Sequence, residues 1–122
     1  MSRQIFQRGS VSIEAVILIP VFLGTIFITM EASLWVYVSS VAQAAAQDGV
    51  RAGTALGAQT IDGERMAEAV LHTRDVGDDW RVTTQATPAG LTMVVTGRAP
   101  SVIPGFTLDV QESATLPWEG RR

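Results

Sequence analysis

Between Glu14 and Glu31 the chain carries no charged side chain, and the stretch from Ala15 to Met30 is mostly Ile, Val, Leu and Phe. Counted back to Ser10, the run reaches the roughly 20 residues that a helix needs to cross the hydrocarbon of a bilayer. A single membrane span is therefore expected, with the lipid bilayer as its first partner. Arg3 and Arg8 precede the run with no acidic residue near them, while Glu31 and a long polar chain follow it. The positive-inside bias then puts the N-terminus in the cytoplasm and everything after Met30 outside. A secretory signal peptide is a second fate for the same residues, with Ala42-Gln43-Ala44 as its A-x-A cut. That cut lies far beyond the apolar run, across Glu31, Trp35 and Tyr37, so an uncut signal anchor fits better.

At 122 residues the chain has room for one small domain besides the span. Its apolar content is concentrated in the first half, so two unlike parts are expected. The formal charge of −3 offers no basic surface on which a phosphate backbone is neutralised, and nucleic acid is not an expected partner. Without cysteine there is neither a disulfide framework nor a thiolate metal site. His72 is the only histidine and reads as solvated or as a helix-end residue. No lysine, phosphate-cradling glycine loop or nucleophile elbow accompanies it. Asp75, Asp78 and Asp79, with Asp62 and Glu64, lack the spacing and the bidentate glutamate of a calcium loop, and read as a solvated acidic turn. No catalytic residue, metal, cofactor or small-molecule substrate is expected.

Beyond Glu31 the apolar residues Leu34, Val38, Val41 and Ala45 recur at helical spacing, with neither Gly nor Pro between Thr25 and Asp48. The span is expected to run on as a stalk of helix to about Gly57, kinked at Pro20. Ala45, Gly49, Gly53 and Gly57 fall every fourth residue, on one slowly drifting face. Each glycine in a helix interior costs up to about 1 kcal/mol, so the series reads as a close-packing surface for another helix or a sheet, or else as a frayed helix end. A second, short helix is expected with Asp62 as N-cap, Ile61 stapled onto Met66, and Met66, Val70, Ala67 and Leu71 on its buried side, ending near Arg74. Strands are expected at Trp80 to Ala86 and Leu91 to Gly97, joined by a turn at Thr87-Pro88-Ala89-Gly90. A third has Phe106, Leu108 and Val110 on one face and Thr107, Asp109, Gln111, Ser113 and Thr115 on the other, which is meant for water. The fold class is α+β: a long N-terminal transmembrane and stalk helix, then a small module of one short helix and an antiparallel β-sheet, pilin-like in outline.

Glu14 stands at the mouth of the span. A carboxylate at the centre of a transmembrane helix costs about 2.5–3.5 kcal/mol, less near an interface, so it either snorkels to the headgroups or has a partner. The surrounding sequence, Arg8-Gly9-Ser10-Val11-Ser12-Ile13-Glu14 followed by Ala15-Val16-Ile17-Leu18-Ile19-Pro20, resembles the N-terminus of the TadE-like minor pseudopilins of tight-adherence, type IV pilus systems. The small-residue segment from Val41 to Gly53 is similar to that family's region after the span, and Glu112 to Glu119 looks, less specifically, like its closing strand. The resemblance implies cutting by prepilin peptidase between Gly9 and Ser10, with Glu14 as the fifth residue of the mature chain and Pro20 where the family commonly has a proline. The cut frees an α-amine on Ser10, and a carboxylate a turn away or on a neighbouring subunit pairs with it, so Glu14 would set assembly register. The expected division is a leader at 1–9, a transmembrane helix at 10–30, a stalk at 31–58 and an extracytoplasmic module at 59–122. The implied partners are prepilin peptidase, other pilin and pseudopilin subunits and the pilus assembly machinery, at the cell membrane and then in an extracellular pilus. The alternative is a permanently anchored extracytoplasmic binding module.

Overall fold

The computed structural model describes the backbone of residues 2–120 and the side chains of residues 12–120. One helix, α1 (Ser2–Thr54), takes in both the apolar run and the stalk. Three hydroxyls in and just beyond the apolar run are satisfied within the helix. Thr25 donates to the Val21 carbonyl at 2.9 Å, Thr29 to Thr25 at 2.8 Å and Ser33 to Thr29 at 2.8 Å. This ladder lets polar residues sit in an apolar stretch without an unpaired donor. Pro20 lies inside the helix and forfeits one backbone bond there.

A tight connection leads to α2 (Thr60–Arg74), followed by strands β1 (Asp78–Ala86), β2 (Gly90–Ala99) and β3 (Leu108–Pro117). The strands form an antiparallel meander in the order β1-β2-β3. The β1–β2 turn is closed by reciprocal backbone bonds between Thr87 and Gly90. β2 and β3 pair without a break from Gly90↔Pro117 to Ala99↔Leu108, whereas β1 carries an irregularity between Asp78 and Arg81, where Asp79 has φ 55°.

The core lies between the sheet and the second half of α1. Val38, Val41, Ala42, Ala45, Ala46 and Val50 meet Leu91, Met93 and Val95 of β2 and Val110 of β3, and α2 adds Ala67 and Leu71. Burying one large side chain of this kind contributes about 1.5–3 kcal/mol. Three strands would be too little alone, and the stalk supplies what the sheet lacks. On the outer sheet face the Thr92 and Thr115 hydroxyls share a hydrogen bond at 2.9 Å, as expected of a face turned to water.

Four local expectations are corrected. α1 stops at Thr54, whose carbonyl accepts the Glu119 N–H at 3.1 Å, so Gly57 does not extend the packing series. It lies in the turn at φ 81° with open space around it, a conformation that glycine adopts freely. The N-cap of α2 is Gln59, and Asp62 sits three residues further on, where its carboxylate accepts the Gln59 N–H at 2.8 Å. Ile61 and Met66 are each 44% exposed and form no staple into the core, because the buried side of α2 is Gly63, Ala67 and Leu71. Phe106 precedes β3 and is 51% exposed, since the chain leaves the ladder at Leu108.

The reason α2 turns that face inward is its crossing with α1. A Cβ at Gly63 would lie 2.6 Å from the Gly49 carbonyl oxygen and 3.1 Å from the Gly53 Cα. A Cβ at Gly53 would lie 2.6 Å from Leu91 Cδ2. The two helices thus meet backbone to backbone, with the Leu91 side chain of β2 seated against Gly53, an approach that only glycine permits.

Candidate functional site

α1 is long and apolar enough to cross a membrane, and none of its most apolar stretch is buried by the rest of the chain. Ile13, Val16, Phe22 and Ile28 are each at least 60% exposed, so a continuous apolar surface has no covering among the described residues. A core helix would be wrapped, and this one is bare over the run and wrapped only beyond it. Removal at Ala42-Gln43-Ala44 would cut inside the core, because Ala42 is fully buried and the residues on either side build the module. The second half of the helix, from Val38 to Val50, is therefore part of the fold.

Glu14 lies on this bare section, exposed, and among the described residues nothing donates to it. Gly9 and Ser10 are helical in backbone, within α1, and their side-chain surroundings lie outside the described residues. Ser10 and Glu14 are four residues apart on one helix, so they share a face with a rise of about 6 Å between them. Pro20 is further up the same bare section. Ala45, Gly49 and Gly53 lie at the α1–α2–β2 junction, far from these residues along the helix.

A second carboxylate, read in the sequence only as the end of the apolar run, turns out to have a built environment. Glu31 is 6% exposed, and its Oε2 accepts the Val102 N–H at 2.9 Å from the loop between β2 and β3. Its Oε1 is buried without a hydrogen-bond partner. Next to it, Trp35 Nε1 donates to the Asp109 carbonyl at 3.2 Å. The signal was available in the sequence: an ionisable residue at the edge of a membrane run is either exposed or gripped.

Several of the remaining acids have separate partners. Asp62 caps α2, Glu64 accepts the Thr84 hydroxyl at 2.7 Å, and Asp79 pairs with Arg98 at 3.3 Å. Among the described residues no three His, Cys, Asp or Glu side chains converge as a metal site. His72 is exposed on the rim of an open cleft of about 250 Å³ with Glu68, Asp75 and Trp80. That cleft contains no nucleophile for the imidazole to activate.

A bare apolar helix long enough to cross a bilayer, continuing into a small α+β head, is the build of a single-pass membrane protein. Residues 9–51 match the family described as TadE-like protein, so over most of its long helix the chain is similar to that family. The match begins at Gly9 and ends before the connection to α2; the head beyond it is outside the matched region. No curated protein and no solved structure matches the chain.

Proposed function

We propose that this protein is a minor pseudopilin of a tight-adherence pilus, held in the membrane by α1, trimmed by prepilin peptidase between Gly9 and Ser10, and assembled with other pilin and pseudopilin subunits. The observation that carries the reading is the family match starting at Gly9 on a helix whose apolar section no other part of the chain covers. Arg3 and Arg8 favour a cytoplasmic N-terminus, which puts the scissile bond on the side where the leader is basic. A peptidase acts on extended backbone, and glycine lowers the cost of opening the helix there by about 1 kcal/mol relative to alanine.

Trimming changes the electrostatics of the bare section. The new Ser10 amine is cationic below a pKa of about 8, and Glu14 is its counter-ion on the same helical face or across a subunit boundary. Left unpaired among apolar helices, a carboxylate is strongly disfavoured, so neighbours that bring an amine to its level are selected. Glu14 acts as a register pin between parallel helices, and Ala45, Gly49 and Gly53 hold the head to the stalk.

The mass of the mature N-terminus tests processing. A chain beginning at Ser10 is the expected result, whereas one beginning at Met1 or Ser2 makes the protein a fixed anchor, and one beginning at Ala45 makes it a secreted domain. Gly9→Trp should leave the leader attached. Glu14→Ala should insert in the membrane normally and lose co-purification with pilus subunits; retained co-purification would remove the register role.

A further inference from the structure

The loop between β2 and β3, residues 100–107, does not stand clear of the sheet. It doubles back along α1, where Val102 donates to Glu31, and Ile103 and Phe106 form one wall of an apolar groove opposite Ile28, Ala32 and Trp35. The loop thereby covers the first carboxylate after the apolar run and substitutes greasy side chains for it. Ile103 and Phe106 are themselves 36% and 51% exposed, Trp35 is exposed in the same groove, and Val36 and Tyr37 are exposed further along α1, so exposed apolar surface continues past Met30.

The level at which this happens is set by length. A hydrocarbon layer of about 30 Å needs about 20 residues of helix, which ends at Thr29 when counted from Ser10 and at Leu34 when counted from Ala15, on either side of Glu31. The part of α1 gripped by the loop is thus where the helix leaves the bilayer. Trp35 and Tyr37 are the residue types that favour that depth. Charge begins at the root of the loop, where Arg98 pairs with Asp79 at 3.3 Å and lies 4.0 Å from Asp109.

We propose that the β2–β3 loop is a membrane-interface anchor: Ile103 and Phe106 enter the boundary between headgroups and acyl chains, with Glu31 sealed beneath them and Arg98 at headgroup level. The occupant of the groove beside α1 is lipid acyl chain. The apolar band around the groove is continuous with the bare span, which has no other covering among the described residues, and an insertion depth of about 5–10 Å is usual for interfacial elements. The inference rests on the single-pass reading and is independent of cutting at Gly9.

The chain has no cysteine, so single labels are introduced without background. Ile103→Cys, Phe106→Cys, Val21→Cys and Ala89→Cys in the full chain, each carrying an environment-sensitive fluorophore, are placed in phosphatidylcholine nanodiscs at one copy per disc. Quenching by doxyl-labelled lipid is compared with quenching by aqueous iodide. Ala89 lies in the exposed turn at the opposite end of β2 and serves as the water reference. Labels at 103 and 106 should lose several-fold more signal to lipid quencher than the label at 89, and be shielded from iodide. Iodide access at 103 and 106 equal to that at 89 overturns the anchor. Shielding from both quenchers overturns it too, in favour of protein covering the groove. A label at 21 that lipid fails to quench removes the span itself, a failure distinct from that of the loop.

Discussion

Replacing Gly63 with alanine gives the crossing of α1 and α2 a quantitative test. In a free helix the change is favourable by about 1 kcal/mol, because alanine is the better helix former. Here the added methyl would sit 2.6 Å from the Gly49 carbonyl oxygen, 3.1 Å from the Gly53 Cα and 3.3 Å from the Gly53 nitrogen. All three are backbone atoms of another helix, so no side chain can rotate away, and α2 has to move off α1. Overpacking of this kind costs about 1–3 kcal/mol, and after the helix-propensity gain the net expected loss is about 0–2 kcal/mol. For a module of this size each kcal/mol lowers the thermal midpoint by roughly 4–8 °C. Near-ultraviolet dichroism of the detergent-solubilised full chain reads the head through Trp80, which is partly buried against the core. Gly49→Ala should be milder, because its nearest neighbour is the flexible end of Met93, although the Gly63 carbonyl at 3.0 Å limits the relief. A Gly63→Ala protein with a raised midpoint would refute the claim that the two backbones are in contact.

Two further outcomes follow from the capping and the gripped carboxylate. Glu31→Ala leaves the Val102 N–H without its acceptor, a loss of about 1–2 kcal/mol, and amide exchange at Val102 should accelerate roughly 5–30-fold while exchange in β2 stays slow. An unchanged rate at Val102 would mean the loop is held by its apolar contacts alone. Asp62→Ala removes the bond to Gln59 and a negative charge from the first turn of α2, and should destabilise the head by about 0.3–1 kcal/mol in urea, whereas Ile61→Ala should be near neutral. Equal effects from the two would restore the hydrophobic staple.

The long helix was legible in the sequence because hydropathy and spacing agree over it: an uncharged run passes directly into Leu34, Val38, Val41 and Ala45 at helical intervals. The three strands were legible for the same reason, through two-residue alternation and the turn at Thr87 to Gly90. What could not be read was the consequence of contacts between small residues. Periodicity placed Ala67 and Leu71 correctly on the inner face of α2 but put Met66 there too; Gly63 carries no hydropathy signal, and only its crossing with Gly49 and Gly53 turns Met66 outward. Phe106 continued the alternation of β3 by sequence, but alternation does not distinguish a paired strand from a loop that leaves the ladder to reach α1. Of the candidate site, Glu14 stood out by its cost in lipid, whereas Gly9 and Ser10 came from family resemblance and from no local physical signal. Glu31 was overlooked because its partner is a backbone amide 71 positions away.

One uninterrupted rod serves as membrane anchor and as half of the head's hydrophobic interior. No flexible tether separates the two ends, and the 53 residues of α1 span about 80 Å. Tension applied to the head is thus transmitted down a single ladder of backbone hydrogen bonds into the bilayer. A pull strong enough to unseat the head would have to strip Val38 to Val50 from the sheet, so mechanical failure at the stalk and unfolding of the head are the same event.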